Sequence, residues 1–168
     1  MRIGNIDIDR PLALAPMEDI TDQPFRRICK RHGADLLYTE FAYCEALIRT
    51  AVKTLRRLEI GRDESPIGIQ IYGSNETAME QAAAIAEAAG PDFVDINAGC
   101  WVKKIATRGD GSGLLRDLVK FESVVKAVMR GTRLPVTVKT RLGWDDRNLC
   151  ILEAARMLEQ CGVQALSV

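Results

Sequence analysis

Short apolar runs alternate with amphipathic segments along most of this chain. Apolar runs of strand length cover residues 12–17, 35–41, 66–72, 93–97, 136–141 and 165–168. Segments with apolar residues at helical spacing lie between them, over about 24–33, 43–59, 75–89, 117–130 and 148–160. Regular alternation of strands and helices predicts a parallel sheet, because a parallel connection needs a crossover helix.

The ends of these segments carry recognisable signals. Thr21 or Asp22 can cap the first helix, and Gly33 ends it. Residues 3–8 alternate around a Gly-Asn turn, which predicts a short hairpin before the first run. The run 12–17 fits a fully buried strand that ends at a proline. The first helix is expected to gather on one face Phe25, Ile28 and Cys29.

Two architectures remain open for such a sheet, a doubly wound sheet and a (β/α)8 barrel. No GxGxxG motif follows the first run, which disfavours the dinucleotide-binding sheet. Polar residues cluster where strands end, as in a barrel mouth: Met17, Glu18, Glu40, Gln70, Asn97, Lys139 and Arg141. A whole barrel needs about 250 residues and eight strands. We therefore predict an incomplete TIM-type barrel of six strands and five helices, forming an open parallel sheet.

Composition narrows the class of protein without identifying it. The 168 residues are 47% hydrophobic and 27% charged, which fits one soluble domain. Lys plus Arg equals Asp plus Glu at 23 each, so only a local basic patch could bind nucleic acid. Five cysteines without CxxC spacing and one histidine predict no disulfide framework and no metal site. The absence of a signal peptide or a long apolar span predicts a cytoplasmic protein with reduced thiols and no membrane contact.

The segment 92–104 is the strongest candidate for chemistry, because a cysteine, Cys100, follows an apolar strand. A cysteine in such a loop is either a packing residue or a reactive one. Gln70 and Lys139 are either polar fillers of a barrel interior or ligands of a cofactor. The basic residues near the cysteine are either solvated or contacts of an anionic substrate: Lys103, Lys104, Arg108 and Arg116.

Several motifs together resemble the tRNA-dihydrouridine synthases, in detail the bacterial B-type members. The matching segments span the chain in register: Ala15-Pro-Met17, Thr21-Asp22, Pro24-Phe-Arg26, Gly68-Ile-Gln70-Ile-Tyr-Gly73, Asp95-Ile-Asn97-Ala-Gly99-Cys100, Val102-Lys-Lys104, Gly111-Ser-Gly113-Leu-Leu-Arg-Asp117 and Val136-Thr-Val-Lys139-Thr-Arg141-Leu-Gly143-Trp144. The resemblance implies an FMN-dependent (β/α)8 barrel enzyme. Such an enzyme reduces the C5=C6 bond of a uridine in tRNA, with NADPH as electron donor.

The resemblance also implies roles for individual residues. Cys100 would be the general acid, and thiols are mostly protonated at neutral pH. The expected flavin contacts are Pro16, Met17, Glu18, Gln70, Asn97 and Lys139. The expected tRNA contacts are Lys103, Lys104, Arg108 and Arg141.

Departures from the family pattern qualify these expectations. Trp101 replaces the usual proline after the cysteine, Glu18-Asp19 replaces a small pair, and Asp110 stands where a small residue is common. The later strands, the phosphate loops and a tRNA-binding helical domain are not seen. Residues 1–168 are thus expected to be the N-terminal portion of the catalytic barrel, inactive alone. The alternatives are a free-pyrimidine flavin oxidoreductase related to dihydroorotate or dihydropyrimidine dehydrogenases, and a non-catalytic barrel fragment.

Overall fold

A computed structural model describes all 168 residues. The strands are β1 (Arg2–Ile3), β2 (Ile6–Asp7), β3 (Leu37–Tyr38), β4 (Ala42–Tyr43), β5 (Ile67–Tyr72), β6 (Phe93–Asn97), β7 (Val136–Lys139) and β8 (Ala165–Ser167). The helices are α1 (Gln23–Arg31), α2 (Cys44–Ile48), α3 (Val52–Arg56), α4 (Glu76–Ala88), α5 (Lys103–Ala106), α6 (Leu118–Gly131) and α7 (Ile151–Cys161), with a 3-10 helix at Gly111–Arg116.

The main sheet is parallel, and its spatial order follows the sequence. The order is β3-β5-β6-β7-β8, with β4 pairing with β5 as a continuation of the β3 edge. A doubly wound sheet reverses its strand order at a switch point, whereas this sheet never does. The incomplete TIM-type barrel is therefore confirmed, as an open parallel sheet curled into a half-barrel with helices outside.

The two faces of the sheet differ in chemistry. Apolar side chains of the outer face pack against α4, α6 and α7 in one core, among them Ile69, Ile71, Val94, Ile96 and Val138. The inner face carries the alternate residues, and the strand register aligns them in rows. One row is Gln70, Asp95 and Thr137, and the next pairs Asn97 with Lys139.

The predicted N-terminal hairpin is confirmed, and it packs at the amino end of the strands. Ile3 is 1% exposed and contacts a cluster with Leu36, Tyr38 and Phe93. The Tyr38 and Phe93 rings meet edge to face, with centroids 5.3 Å apart. A Cβ on Gly68 would collide with the Phe93 ring, so the aromatic side chain occupies the space that glycine leaves.

The prediction of a buried strand at residues 12–17 is wrong. Only an isolated parallel bridge joins Ala13 to Leu36. Leu12 is 62% exposed, and Pro16 and Met17 are only half-buried. This segment lies at the edge of the sheet, where it bonds to Asp35 and Leu36 just before β3 and no strand covers its other side.

The strand predicted at residues 35–41 is divided into β3 and β4. Leu37 pairs with Ile67, and Ala42 pairs with Ile71. The chain therefore advances five residues from β3 to β4 while β5 advances four, and the one extra residue between β3 and β4 forms a β-bulge. The Thr39 hydroxyl lies in this gap and accepts a hydrogen bond from the Gln70 backbone at 3.3 Å.

Two helix predictions also need correction. The helix expected over 43–59 is two short helices, because Thr50 has a positive φ of 53° between them. Helix α1 has the predicted extent and is capped by Asp22, which accepts from the Phe25 N–H at 3.0 Å. Of its expected apolar face, only Cys29 packs inward, against the cluster of Ala34, Leu37 and Ile67, while Phe25 is 37% and Ile28 53% accessible.

The most buried residue of α1 is instead Arg26, which is 2% exposed. Its guanidinium binds Glu64 at 2.8 Å and the carbonyl oxygens of Thr21 and Glu59 at 2.9 and 2.8 Å. This buried ion pair fastens α1 to the segment that leads into β5. An apolar pattern could not indicate it, because the buried group is a charge.

The remaining boundaries shift by a few residues. β7 ends at Lys139 rather than 141, and α7 begins at Ile151 rather than 148. Asn148 donates to Asp145 at 2.7 Å in a turn that occupies the predicted first turn of the helix. None of the helices is both long and apolar enough to cross a membrane.

Candidate functional site

A hydrogen-bonded row of polar side chains crosses the inner face. The Asp95 carboxylate accepts from the Gln70 Nε2 atom at 2.6 Å and from the Thr137 hydroxyl at 2.5 Å. All three residues are at most 2% exposed. The register forces this meeting, because Gln70, Asp95 and Thr137 occupy one row on three adjacent strands.

Asp95 is a buried acid without an ion-pair partner. Burial raises the pKa of its carboxyl from 3.8 to about 6, against the hydrogen bonds from Gln70 and Thr137 and the charge of Lys139, which lower it. Asp95 in turn contributes to the raised pKa of Tyr38, after burial of that phenol. A pKa this far above the ordinary value is uncommon for an aspartate.

Asn97 connects this row to the cysteine loop. Its Nδ2 atom donates to the Gln70 Oε1 atom at 2.9 Å. Its Oδ1 atom accepts from the backbone N–H groups of Gly99 and Cys100 at 3.2 and 2.9 Å. The amide at the end of β6 thus fixes the first two residues of the loop that follows.

Cys100 lies at the carboxyl end of β6, half-buried against an aromatic cluster. Its side chain packs beside the cluster of Phe41, Tyr72 and Ile105. Its carbonyl oxygen accepts from the Ser112 N–H at 3.0 Å, so the start of the 3-10 helix holds the loop from the other side.

Trp101, the residue in place of the usual proline, points away from the protein and is 75% exposed. Gly99 packs on the backbone of Thr140, where a Cβ would lie 3.1 Å from the carbonyl oxygen. The tryptophan therefore changes the rim of the site and leaves the backbone anchors of Cys100 in place.

Lys139 is directly beside Asn97 in the register of β6 and β7, and Ser167 of β8 is its other neighbour. It is half-exposed on the inner face, and no ion pair includes it. An ammonium group in this position can attract an anionic or electron-rich ligand.

The residues expected from the first strand lie at the rim of the half-barrel. The Thr21 hydroxyl closes the turn at Met17, accepting from its N–H and donating to its carbonyl oxygen, both at 3.0 Å. Glu18 is exposed and pairs with Arg57 at 3.1 Å. Arg57 also donates to the Phe41 carbonyl oxygen at 3.1 Å, which ties this turn to the aromatic cluster beside Cys100.

Some of the basic residues expected to bind substrate are exposed, and others contact acidic or aromatic side chains. Lys103 and Lys104 are exposed on α5, next to the cysteine loop. Arg108 binds Asp110 at 3.1 Å and stacks over the Tyr43 ring at 4.8 Å. Arg141 is exposed in the loop after β7, in the lining of a separate cavity of about 420 Å³. Arg116 stacks on the ring of Trp144, 5.0 Å from its centroid.

Comparison with known proteins shows the family to which this chain belongs. The family model described as dihydrouridine synthase (Dus) matches residues 13–168. The chain belongs to the dihydrouridine synthase family. The matched region includes the cysteine, the two amides and the lysine described above.

Relatives with curated names extend over the whole chain. It is 39% identical over 169 residues to tRNA-dihydrouridine synthase B of Vibrio cholerae and 40% identical over 170 residues to that of Pasteurella multocida. The probable tRNA-dihydrouridine synthase 1 of Synechocystis is 39% identical over 171 residues. All of the chain is covered in each case, against 52%, 51% and 47% of the relatives. The chain spans about half the length of the curated relatives it matches.

Solved structures show a likeness of fold alone. The carboxyl transferase domain of Rhizobium etli pyruvate carboxylase, solved with oxalate, has a TM-score of 0.57 and 17% identity. The match covers 86% of this chain and 22% of that one.

Sequence reasoning missed two members of the polar row on the inner face. Asp95 and Thr137 carry the central hydrogen bonds, yet neither was assigned a role from the motifs. The period of two along a strand gives a signal for Asp95, because it shares a face with Asn97 two residues later. Thr137 has the same relation to Lys139.

The donors on the inner face are of the kind that would hold a flavin, the cofactor that the family resemblance implies. Gln70 and Asn97 each use one amide hydrogen within the protein. Gln70 is fully buried and Asn97 is 8% exposed, so Asn97 is the amide nearer to the surface of this face. Lys139 supplies a positive charge beside them. No group of three or more His, Cys, Asp or Glu side chains is placed to hold a metal ion.

Proposed function

We propose that this chain forms part of an FMN-dependent tRNA-dihydrouridine synthase in which Cys100 is the proton donor. The observation that supports the role of Cys100 most directly is the hydrogen bond from its backbone N–H to Asn97, which fixes the Cys100 backbone at the end of the strand that carries the polar row.

The reaction adds two hydrogens across the C5=C6 bond of a uridine base. Reduced FMN, when bound, would supply the hydride that C6 receives. The Cys100 Sγ atom gives a proton to C5, and its thiolate is reprotonated from solvent afterwards. General acid catalysis of this kind is worth about 10²- to 10⁴-fold in rate.

The residues that would hold FMN lie on the inner face and the rim. Asn97 and Lys139 would offer an amide hydrogen and an ammonium group to a bound flavin, with the buried Gln70 holding Asn97 in place, and the charge of Lys139 would stabilise negative charge on the reduced cofactor. The turn at residues 16–18 would close one side of the site. NADPH is the proposed source of electrons.

A tRNA substrate fits the surface beside the cysteine. Lys103 and Lys104 are exposed on α5 and can contact phosphates, while Trp101 offers a flat apolar surface next to them. Arg108 and Arg141 are weaker candidates, because Arg108 is engaged by Asp110 and Arg141 lines a different cavity.

We further propose that residues 1–168 are the N-terminal portion of the catalytic barrel and do not act alone. The half-barrel leaves an edge at residues 12–17 and another at β8, and the family match covers about half of each relative. An open edge exposes unpaired backbone groups, which is unfavourable for an isolated enzyme.

A test uses a host strain that lacks its own dihydrouridine synthases. It expresses this chain alone, or this chain fused to the part of the Vibrio cholerae relative that it does not match. We expect dihydrouridine in tRNA, measured by mass spectrometry of digested nucleosides, only with the fusion. Cys100→Ala in the fusion should lower dihydrouridine by about 10²-fold or more while the flavin stays bound. Cys161→Ala, in a helix away from the site, should leave it unchanged.

Three results would each contradict part of the proposal. A fusion that binds flavin and reduces free uracil or orotate, but not tRNA, would favour the free-pyrimidine oxidoreductase. Full activity after Cys100→Ala would remove the thiol from the mechanism. Activity of the chain alone would overturn the proposal that the half-barrel needs a complement.

A further inference from the structure

A line of side-chain hydrogen bonds joins Asp95 to the backbone of the cysteine loop. It runs from the Asp95 carboxylate through the Gln70 and Asn97 amides to the N–H groups of Gly99 and Cys100. We propose that Asp95 is a positioning residue, which sets the donor and acceptor direction of this line and so holds the loop that carries Cys100.

The chemistry at the two ends permits only one direction. An ionised carboxylate accepts hydrogen bonds and cannot donate, so Gln70 must turn its NH2 group toward Asp95. Its oxygen then faces Asn97, which must present its own NH2 group. The Asn97 oxygen is left facing the loop, where the backbone N–H groups of Gly99 and Cys100 need an acceptor. The Asp95 carboxylate at one end and the loop N–H groups at the other therefore favour the same orientation of the Gln70 and Asn97 amides.

The surroundings of Asp95 keep it in the form that this role needs. The charged or titratable groups near it are Lys139 on β7 and Tyr38 on β3, with Thr137 as a neutral donor. Lys139 favours the ionised carboxylate, and the pKa of about 6 leaves Asp95 mostly ionised above pH 7. An amide at position 95 would lose this property, because it can donate as well as accept.

Reversal of the line would release the loop. If the group at position 95 donates to the Gln70 oxygen, Gln70 offers its NH2 group to Asn97. Asn97 must then turn its own NH2 group toward the N–H groups of Gly99 and Cys100. Donors would face donors, and the loop would lose both side-chain bonds that hold its first turn.

The test compares Asp95→Asn with the double variant Asp95→Asn/Asn97→Asp in the 168-residue chain. Exchange of the Gly99 and Cys100 amide hydrogens is followed by NMR at pH 7.5. We expect Asp95→Asn to accelerate this exchange about tenfold. The double variant should return to within about threefold of the parent, because a carboxylate at position 97 accepts from Gln70 and from the loop.

A matched control makes the same Asp-to-Asn change just before the other end of β6, outside the line. Asp92 accepts from the Ser65 hydroxyl and the Ile67 N–H, so in Asp92→Asn loop exchange should stay within about twofold of the parent. The NH2 resonances of Gln70 give a second readout, since they should shift in Asp95→Asn and report the reversed environment. A residue that merely filled space at position 95 would produce neither the shift nor the recovery in the double variant.

Unchanged exchange in Asp95→Asn, or a double variant that exchanges as fast as the single one, would overturn the proposal. If Asp95→Asn does not fold, recovery of folding by the added Asn97→Asp supports it, and failure to recover contradicts it. The positioning role of Asp95 does not depend on the proposed function. Only its benefit for catalysis does, because that benefit assumes that Cys100 is the proton donor. A fusion without activity on tRNA would refute that function and leave the exchange result standing.

Discussion

Glu64 and Asp95 are both buried carboxylates, but only Glu64 has an ion-pair partner. Glu64 faces the Arg26 guanidinium, and the remaining guanidinium hydrogens reach two backbone carbonyl oxygens. Asp95 receives only neutral donors, with Lys139 at longer range. The comparison distinguishes a buried charge that is neutralised by an ion pair and attaches a helix from a buried acid on the inner face that has no ion-pair partner.

The largest expected effect comes from removing the partner of Glu64. Arg26→Met leaves an uncompensated buried carboxylate and should lower the free energy of unfolding by about 3–5 kcal/mol. Urea denaturation at pH 7 measures this. The double variant Arg26→Met/Glu64→Leu should recover much of the loss, because it removes both charges. A double variant as unstable as the single one would show that shape, not charge, dominates at this site.

The next effect is a dependence of stability on pH that arises from Asp95. Its pKa is about 6 in the folded protein against an ordinary 3.8, so the folded protein binds this proton more tightly. The stability contributed by Asp95 is present in full below pH 4 and is lost as the pH rises through 6, by about 3 kcal/mol. The unfolding free energy of the parent minus that of Asp95→Asn should therefore fall between pH 4 and 7. A difference that stays constant with pH would contradict the raised pKa.

A smaller effect is expected from the second donor to Asp95. Thr137→Val removes a hydrogen bond to the carboxylate and should lower the free energy of unfolding by about 2 kcal/mol at pH 7. The pKa of Asp95 should rise further, because a group that stabilises the ionised form is gone. The pH profile of unfolding would move to higher pH. A profile that moves to lower pH would contradict this account of the row.

The smallest effect concerns an ion pair that is not buried. Arg27 and Asp63 lie 3.1 Å apart, one residue along from the buried pair on each side, with side chains 45% and 56% exposed. Solvent screens this pair, so Arg27→Met should change the free energy of unfolding by less than about 1 kcal/mol. It is the matched control for Arg26→Met in the same urea series. Equal losses from the two variants would mean that burial does not govern these pairs.

The sequence predicts the overall fold better than it predicts the contacts inside the protein. Alternating apolar runs identify the parallel half-barrel, because the period of burial is a local property. The exposure of the edge segment around Leu12 could not be predicted in this way, because it depends on which strand lies beside the segment. The burial of Arg26 could not be predicted either, because a charged residue is assigned to the surface unless its partner is known. Thr39 completes a ladder only because a bulge opens a gap in β3 and β4.

The candidate site is predictable as a set of residues and not as an arrangement. The family motifs bring Cys100, Gln70, Asn97 and Lys139 to attention, and the register places three of them on the inner face. The direction of the hydrogen bonds through the two amides is a tertiary property. It becomes visible only when Asp95 is seen between two strands that lie far from it in the sequence.

The space that Gly68 leaves for the Phe93 ring has a further consequence. Along β6, the ring, the carboxylate of Asp95 and the amide of Asn97 point to the same side at successive depths. The aromatic pair with Tyr38 therefore closes the space beneath the acid. Burial is what raises the pKa of Asp95, so a smaller side chain at position 93 would let water reach the carboxyl from below and return its pKa toward the ordinary value.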